Sequence, residues 1–305
     1  MGETPVLLIV FNRPETTRRV FEAIRAFQPQ KLFVAADGPR PGSPSDAARC
    51  AQVRDLVRNV DWPCEAEYLF REENMGCREA PAQAITWFFE HVEEGIILED
   101  DCLPSPDFFR FCSGMLAYYR NDEQVMVVGG SHYFRTRASD ATYEFSRFAL
   151  TWGWATWRRA WKKFDLQMPD FEEFKRSGRI RSLLPGHPYM QWRFTRIFQK
   201  CHQRAPWFSD VWDWMWFYAI LKNRGLCILP NFNMISNIGS VQATHAMNAE
   251  TSARPFDTLP ETWTHPARKT VNEANDRRIF RLIYKGDWKD FVRYGLSRIT
   301  FRDWM

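Results

Sequence analysis

The 305-residue sequence predicts an α/β fold built on a mostly parallel sheet flanked by helices, and three observations carry that expectation. Short apolar runs such as Pro5 to Val10 show no polar alternation, as strands covered on both faces do. They alternate with segments of helical periodicity, at the spacing of repeated βαβ units. Composition agrees, with 45% hydrophobic and 26% charged residues, which suits a packed core and not a disordered chain.

Residues 5–10 read as a buried strand. Residues 15–27 follow as a helix with Val20, Phe21, Ile24 and Phe27 on one stripe. Residues 32–36 are a second strand, stopped by Asp37-Gly38-Pro39, and a Pro/Gly/Ser loop leads to a helix near 46–59. Residues 65–70 form a third strand, 78–92 a helix, and Ile96-Ile97-Leu98 a fourth strand. A helix near 107–119 and a strand at 125–128 come next. Helical patches are expected near 154–164, 171–183, 189–202 and 211–223, then a late strand at 226–230 and a loop over 231–247. Residues 1–130 read as a nucleotide-binding half and 131–265 as a second half of the same domain. Residues 266–305 read as a basic amphipathic helical tail.

The formal charge is +4. From Arg268 onwards ten Lys/Arg stand against five Asp/Glu, so the body carries a net of −1 and the basicity belongs to the tail. That excludes a nucleic-acid binder that is basic over its surface. Seven cysteines, none spaced as CxxC, suggest reduced thiols and neither a disulfide framework nor a zinc cage. With no apolar run near membrane-spanning length and a mean hydropathy of −0.45, a cytoplasmic protein is expected. Nine of 14 Trp fall between Trp152 and Trp216. Flat indole faces suit sugars or bases, and equally suit aromatic core packing.

Ligands of such sheets lie beyond the carboxyl ends of the strands. There a hydrophobic strand runs into Glu99-Asp100-Asp101. Three adjacent carboxylates repel one another unless they share a cation, so Mn²⁺ or Mg²⁺ with oxygen ligands is expected. An acidic turn before the next helix is the plainer reading. Asp37 is a candidate acceptor for a base edge or a simple Asp-Gly turn residue. Arg13 could meet a phosphate or a base, or start a helix. His245, in a polar loop, is a candidate metal or phosphate ligand. Asp210 reads as a helix N-cap, and Asp213, among tryptophans, as a general base. No GxGxxG, GxxxxGK[ST], HExxH or GxSxG motif occurs.

Taken together, these segments resemble the GT-A glycosyltransferases, and most closely the N-acetylglucosaminyltransferase I family and related bacterial glycosyltransferases. Residues 5–14 with Ala36-Asp37-Gly38 are similar to that family's nucleotide-binding start. Glu99-Asp100-Asp101 with Pro106-Asp107-Phe108-Phe109 is similar to its metal motif and the helix after it. Thr151-Trp152-Gly153-Trp154 resembles its acceptor-side segment, and Trp212-Asp213-Trp214-Met215 the stretch holding its base. The resemblance implies a metal-dependent, inverting hexosyl- or N-acetylhexosaminyltransferase of GT-A fold. Its donor would be a UDP-sugar and its acceptor a glycan or lipid-linked glycan. Arg13 and Asp37 would contact the uracil, Glu99 would help bind the donor, and Asp100 would approach the ribose. Asp101 and His245 would serve the metal, and Asp213 would deprotonate the acceptor. Trp152, Trp154 and Trp214 would flank the sugars. The family's base motif has two adjacent acids, whereas Trp212 precedes Asp213 here.

Two rival classes are a sugar nucleotidyltransferase and a non-catalytic glycan-binding module. The first should open with a Gly-rich loop, which Phe11-Asn12-Arg13-Pro14 lacks. The second would leave three acids at a strand end unexplained. The cationic tail suggests a peripheral contact with the inner face of a membrane, or a helix packed on the domain.

Overall fold

The structure is a computed structural model that describes residues 2–206, 208–239 and 253–302, the side chains of 298–302 excepted. The first half alternates as expected: β1 (Val6–Val10), α1 (Pro14–Phe27), β2 (Lys31–Ala36), α2 (Pro44–Arg58), β3 (Glu65–Phe70), α3 (Gly76–His91) and β4 (Glu94–Glu99). Then come β5 (Cys102–Pro104), α4 (Pro106–Tyr118), β6 (Val125–Gly129), β7 (Tyr143–Ser146) and β8 (Trp154–Trp157). Helices α5 (Arg158–Trp161), α6 (Phe171–Arg176), α7 (Ile180–Leu183), α8 (Pro188–His202) and α9 (Asp213–Lys222) precede β9 (Leu226–Pro230) and β10 (Ile235–Asn237). The chain closes with α10 (Glu273–Ile279), a π-helical turn over Phe280–Tyr284, and α11 (Trp288–Arg302).

Eight strands form one sheet in the order β3-β2-β1-β4-β8-β6-β9-β7. β1 pairs in parallel with β2 and with β4, and β2 with β3, while β8 runs antiparallel between β4 and β6. The sheet is therefore mostly parallel, with the carboxyl ends of β1, β2, β3, β4 and β6 on one edge. Strand order reverses at β1, whose sequence neighbour β2 lies on one side and β4 on the other. Connecting helices diverge there and leave a crevice above the strand ends. Leu8 faces Leu98 in register, so the residues after Val10 and after Glu99 emerge side by side into that crevice.

Burial explains the unbroken apolar strands. Val6, Leu8 and Val10 pack with Val20, Phe21 and Ile24 of α1 and Phe108 and Phe109 of α4. Leu7, Phe33 and Ile97 point to the opposite face, against Ile85 and Phe88 of α3. Both faces are covered, so no position calls for a polar residue.

Three elements differ from the sequence expectations. Residues 154–157 are the strand β8 and not the start of a helix; pairing with β4 and β6 outweighs the local pattern. Helix α9 starts at Asp213 with Trp212 at its N-cap, so Asp210 is not the cap. β10 falls inside the stretch read as loop, because it pairs with β5 some 130 positions earlier.

The tryptophans mostly fill the interior. Trp154, Trp161, Trp212 and Trp216 form a cluster, with Trp154 stacked on Trp212 at 5.9 Å and Trp161 5.0 Å from Trp216. Trp154 and Trp216 have no exposed surface. Trp216→Ala should therefore cost about 3–5 kcal/mol, the range for emptying a buried aromatic site, as measured by urea denaturation. A loss below about 1 kcal/mol would show that the cluster does not carry the core.

Candidate functional site

The crevice between β1 and β4 holds the densest charge of the described residues. β4 ends at Glu99, and the chain turns through Asp100 and Asp101 into β5. Asp100 is buried, accepts a hydrogen bond from the Phe11 amide at 3.2 Å, and meets the Arg13 guanidinium at 3.3 Å. The same Arg13 Nη1 donates to Asp101 at 2.8 Å. Arg13 sits ahead of α1 because Pro14 starts that helix and its own backbone stays outside it. Its carbonyl accepts from the Thr17 hydroxyl at 2.7 Å, which holds the turn.

These contacts set the electrostatics. Burial, and then the charges of Asp101 and Asp100, push the Glu99 carboxyl well above the usual carboxylate range, with a further contribution from Asp213. Burial also raises Asp100, with Asp101 adding and Arg13 opposing. For Arg13 burial acts downward, but Asp100 and Asp101 outweigh it and hold the guanidinium more firmly charged.

Asp101 is held from a distant part of the chain. The β5–β10 pair brings Asn237 within 3.3 Å of its carboxylate, and the Ile238 amide donates to its carbonyl at 2.8 Å. Gly239 lies directly on the carboxylate; a Cβ there would come within 2.8 Å of the Asp101 Cβ and closer still to Oδ2. Only glycine permits that approach.

Asp37, at the end of β2, is saturated. It accepts from the amides of Gly38, Met75 and Gly76 and from Asn74 Nδ2, all at 3.0–3.1 Å. It thus ties the end of β2 to the first turn of α3, and Gly38 lets the two loops touch. These donors occupy the carboxylate that was expected to read a uracil edge. Arg13 is engaged by Asp100 and Asp101.

Asp213 is exposed at the start of α9, where its carboxylate accepts from the Trp214 amide at 2.9 Å. Its charge adds a smaller upward push to the Glu99 carboxyl. Trp152 is half-buried, 5.9 Å from Tyr133, and Trp214 is half-buried against Tyr284. Trp154 is corrected: the β8 pleat turns its ring into the core, where it offers no face to a sugar. His245 lies outside the described residues.

Three contributors stand outside the candidate site residues read from the sequence. Asn237 and Gly239 lie in a stretch that resembles a closing loop of the bacterial relatives, but only β-pairing shows that they meet Asp101. Arg71, half-buried just after β3, follows the same rule as Arg13. Burial lowers its pKa and Asp37 partly offsets this.

Among the described residues no three His, Cys, Asp and Glu side chains form a cage for a metal. The Arg13 guanidinium pairs with two of the acids, Asp100 and Asp101. The carboxylate of Asp101 is the group there that could offer a ligand to a hard ion whose shell is completed by phosphate oxygens and water.

No family model and no curated protein matches the chain. Several solved structures do. A UDP-glucose pyrophosphorylase in its apo form is 10% identical, with 78% of this chain and 94% of that one covered and a TM-score of 0.38. A 4-diphosphocytidyl-2C-methyl-D-erythritol synthase from Anaerococcus prevotii is 9% identical over 57% and 83%, at 0.35. An inositol-1-phosphate CTP transferase from T. maritima is 11% identical over 53% and 74%, at 0.31. None of these is a glycosyltransferase. These structures are nucleotidyltransferases by name, where a hexosyl- or N-acetylhexosaminyltransferase was expected.

The raised carboxyls predict a pH dependence. The folded chain binds protons at Glu99 and Asp100 that the unfolded chain has released, so their contribution is full at low pH and is lost as pH rises toward neutrality and beyond. In EDTA, Glu99→Gln should match the wild type in stability near about pH 5 and exceed it by about 1 kcal/mol or more near about pH 8. A wild type that gains on the variant with rising pH would contradict this.

Proposed function

We propose that the crevice binds a sugar nucleotide together with Mn²⁺ or Mg²⁺, and that its chemistry is nucleotidyl transfer between pyrophosphate and a sugar phosphate. One observation carries the reading: Glu99, Asp100 and Asp101 converge with Arg13 where the strand order reverses. An excess of carboxylate at that point attracts a cation, and a cation there attracts phosphate.

Asp101, half-buried and oriented by Arg13 and Asn237, would hold the ion. The ion would neutralise phosphate charge and so ease departure of the leaving oxygen. Arg13 keeps Asp100 and Asp101 in place, and Asp37 fixes the α3 loop beside the site. Arg71, a half-buried cation at the neighbouring strand end, is suited to a phosphate. The loop after β1 has no glycines to wrap a triphosphate. The feature counts against tight triphosphate binding in either direction, and the assay starts from a sugar nucleotide and pyrophosphate.

With a UDP-sugar, pyrophosphate and Mn²⁺, the wild type should release UTP and a sugar 1-phosphate. Asp101→Ala should lower the rate at least about a hundredfold, as loss of a metal ligand does. Release of UDP instead of UTP would overturn nucleotidyl transfer while leaving sugar-nucleotide binding intact. Failure of Mn²⁺ and UDP to raise the melting temperature would remove both.

A further inference from the structure

The last helix presents two faces of opposite character. Its inner face is anchored: Phe291 stacks on Tyr189 at 4.4 Å, and Asp290 is buried and pairs with Arg193 at 2.7 Å. About 160° round the helix lies an apolar stripe that faces solvent. Trp288 is 70% exposed, Val292 50% and Leu296 57%. Residues 288, 292 and 296 recur at i, i+4 and i+8, so this is one continuous stripe and not scattered apolar residues. Beside it Lys285, Lys289 and Arg293 are exposed. Over 281–302 six basic residues stand against two acidic ones, a net of +4, and one of those acids is already paired with Arg193.

We propose that α11 docks the protein on an anionic lipid surface, lying in the interface plane with Trp288, Val292 and Leu296 inserted. Charge complementarity selects this occupant. A second copy of the chain laid on the stripe would set Lys285, Lys289 and Arg293 against their own counterparts, whereas acidic headgroups would neutralise them. Trp288 sits at the end of the stripe with Lys289 near its ring, an arrangement suited to the boundary between headgroups and acyl chains. No helix of the described residues is long and apolar enough to cross a membrane, so α11 would lie on the surface and not span it. Anchorage through Asp290 and Phe291 means that the body of the protein follows the helix. The proposal does not depend on the reaction assigned to the crevice.

The full chain should co-sediment with vesicles of phosphatidylcholine containing phosphatidylglycerol and not with phosphatidylcholine alone. Trp288→Ser with Val292→Ser, and separately Lys285→Glu with Lys289→Glu, should each weaken that binding by about tenfold or more. All four positions are solvent-exposed, so melting temperatures should stay within a degree or two of the wild type, about what surface substitutions do. Equal binding to neutral and anionic vesicles, or binding that neither variant alters, would overturn the proposal. So would a dimer that Trp288→Ser with Val292→Ser dissolves while vesicles bind nothing.

Discussion

Three carboxylates in succession at the end of a buried strand repel one another, and burial makes the repulsion worse because little water screens it. Arg13 is what makes the arrangement tenable. It reaches from the end of the neighbouring strand to bridge Asp100 and Asp101 with one nitrogen. The bridge requires the parallel pairing of β1 and β4, in the register that sets Leu8 against Leu98. Compensation is incomplete, since one guanidinium faces three acids and Glu99 and Asp100 remain pushed toward their protonated forms. A buried ion cluster of this kind is poor evidence of stability.

The surrounding structure keeps that cluster in shape. The small β5–β10 sheet presses Gly239 onto Asp101 and supplies Asn237 as a donor. On the other side of β1, Asp37 gathers four donors from the β2 turn and the α3 loop. A carboxylate so fully bonded is a structural pin, and it sets the edge of the crevice that a nucleotide would meet.

The aromatic residues divide by location. Trp154, Trp161, Trp212 and Trp216 pack together behind the sheet and give the wall its rigidity. Trp152 and Trp214 remain partly accessible. The tail divides in the same way. Asp276 of α10 is buried, accepts from Ser146 and Arg147, and joins the segment to the sheet through β7. Within the described part of the tail, α11 turns Trp288, Val292 and Leu296 outward.

The βαβ alternation of the first half, the two-sided burial of its strands and the acids after Leu98 were all legible in the sequence, because each depends on residues a few positions apart. Periodicity and strand-end chemistry are local properties. Whether Trp154 faced a ligand or the core was not legible, since the pairing of β8 between β4 and β6 decided it. The same holds for Asn237 and Gly239, which reach Asp101 only through strand pairing over more than 130 residues, and for Arg13, whose partner was fixed by the reversal of strand order. Long-range pairing leaves no trace in any short window of sequence, and it was this pairing that chose, among several polar residues of the right type, the ones that meet.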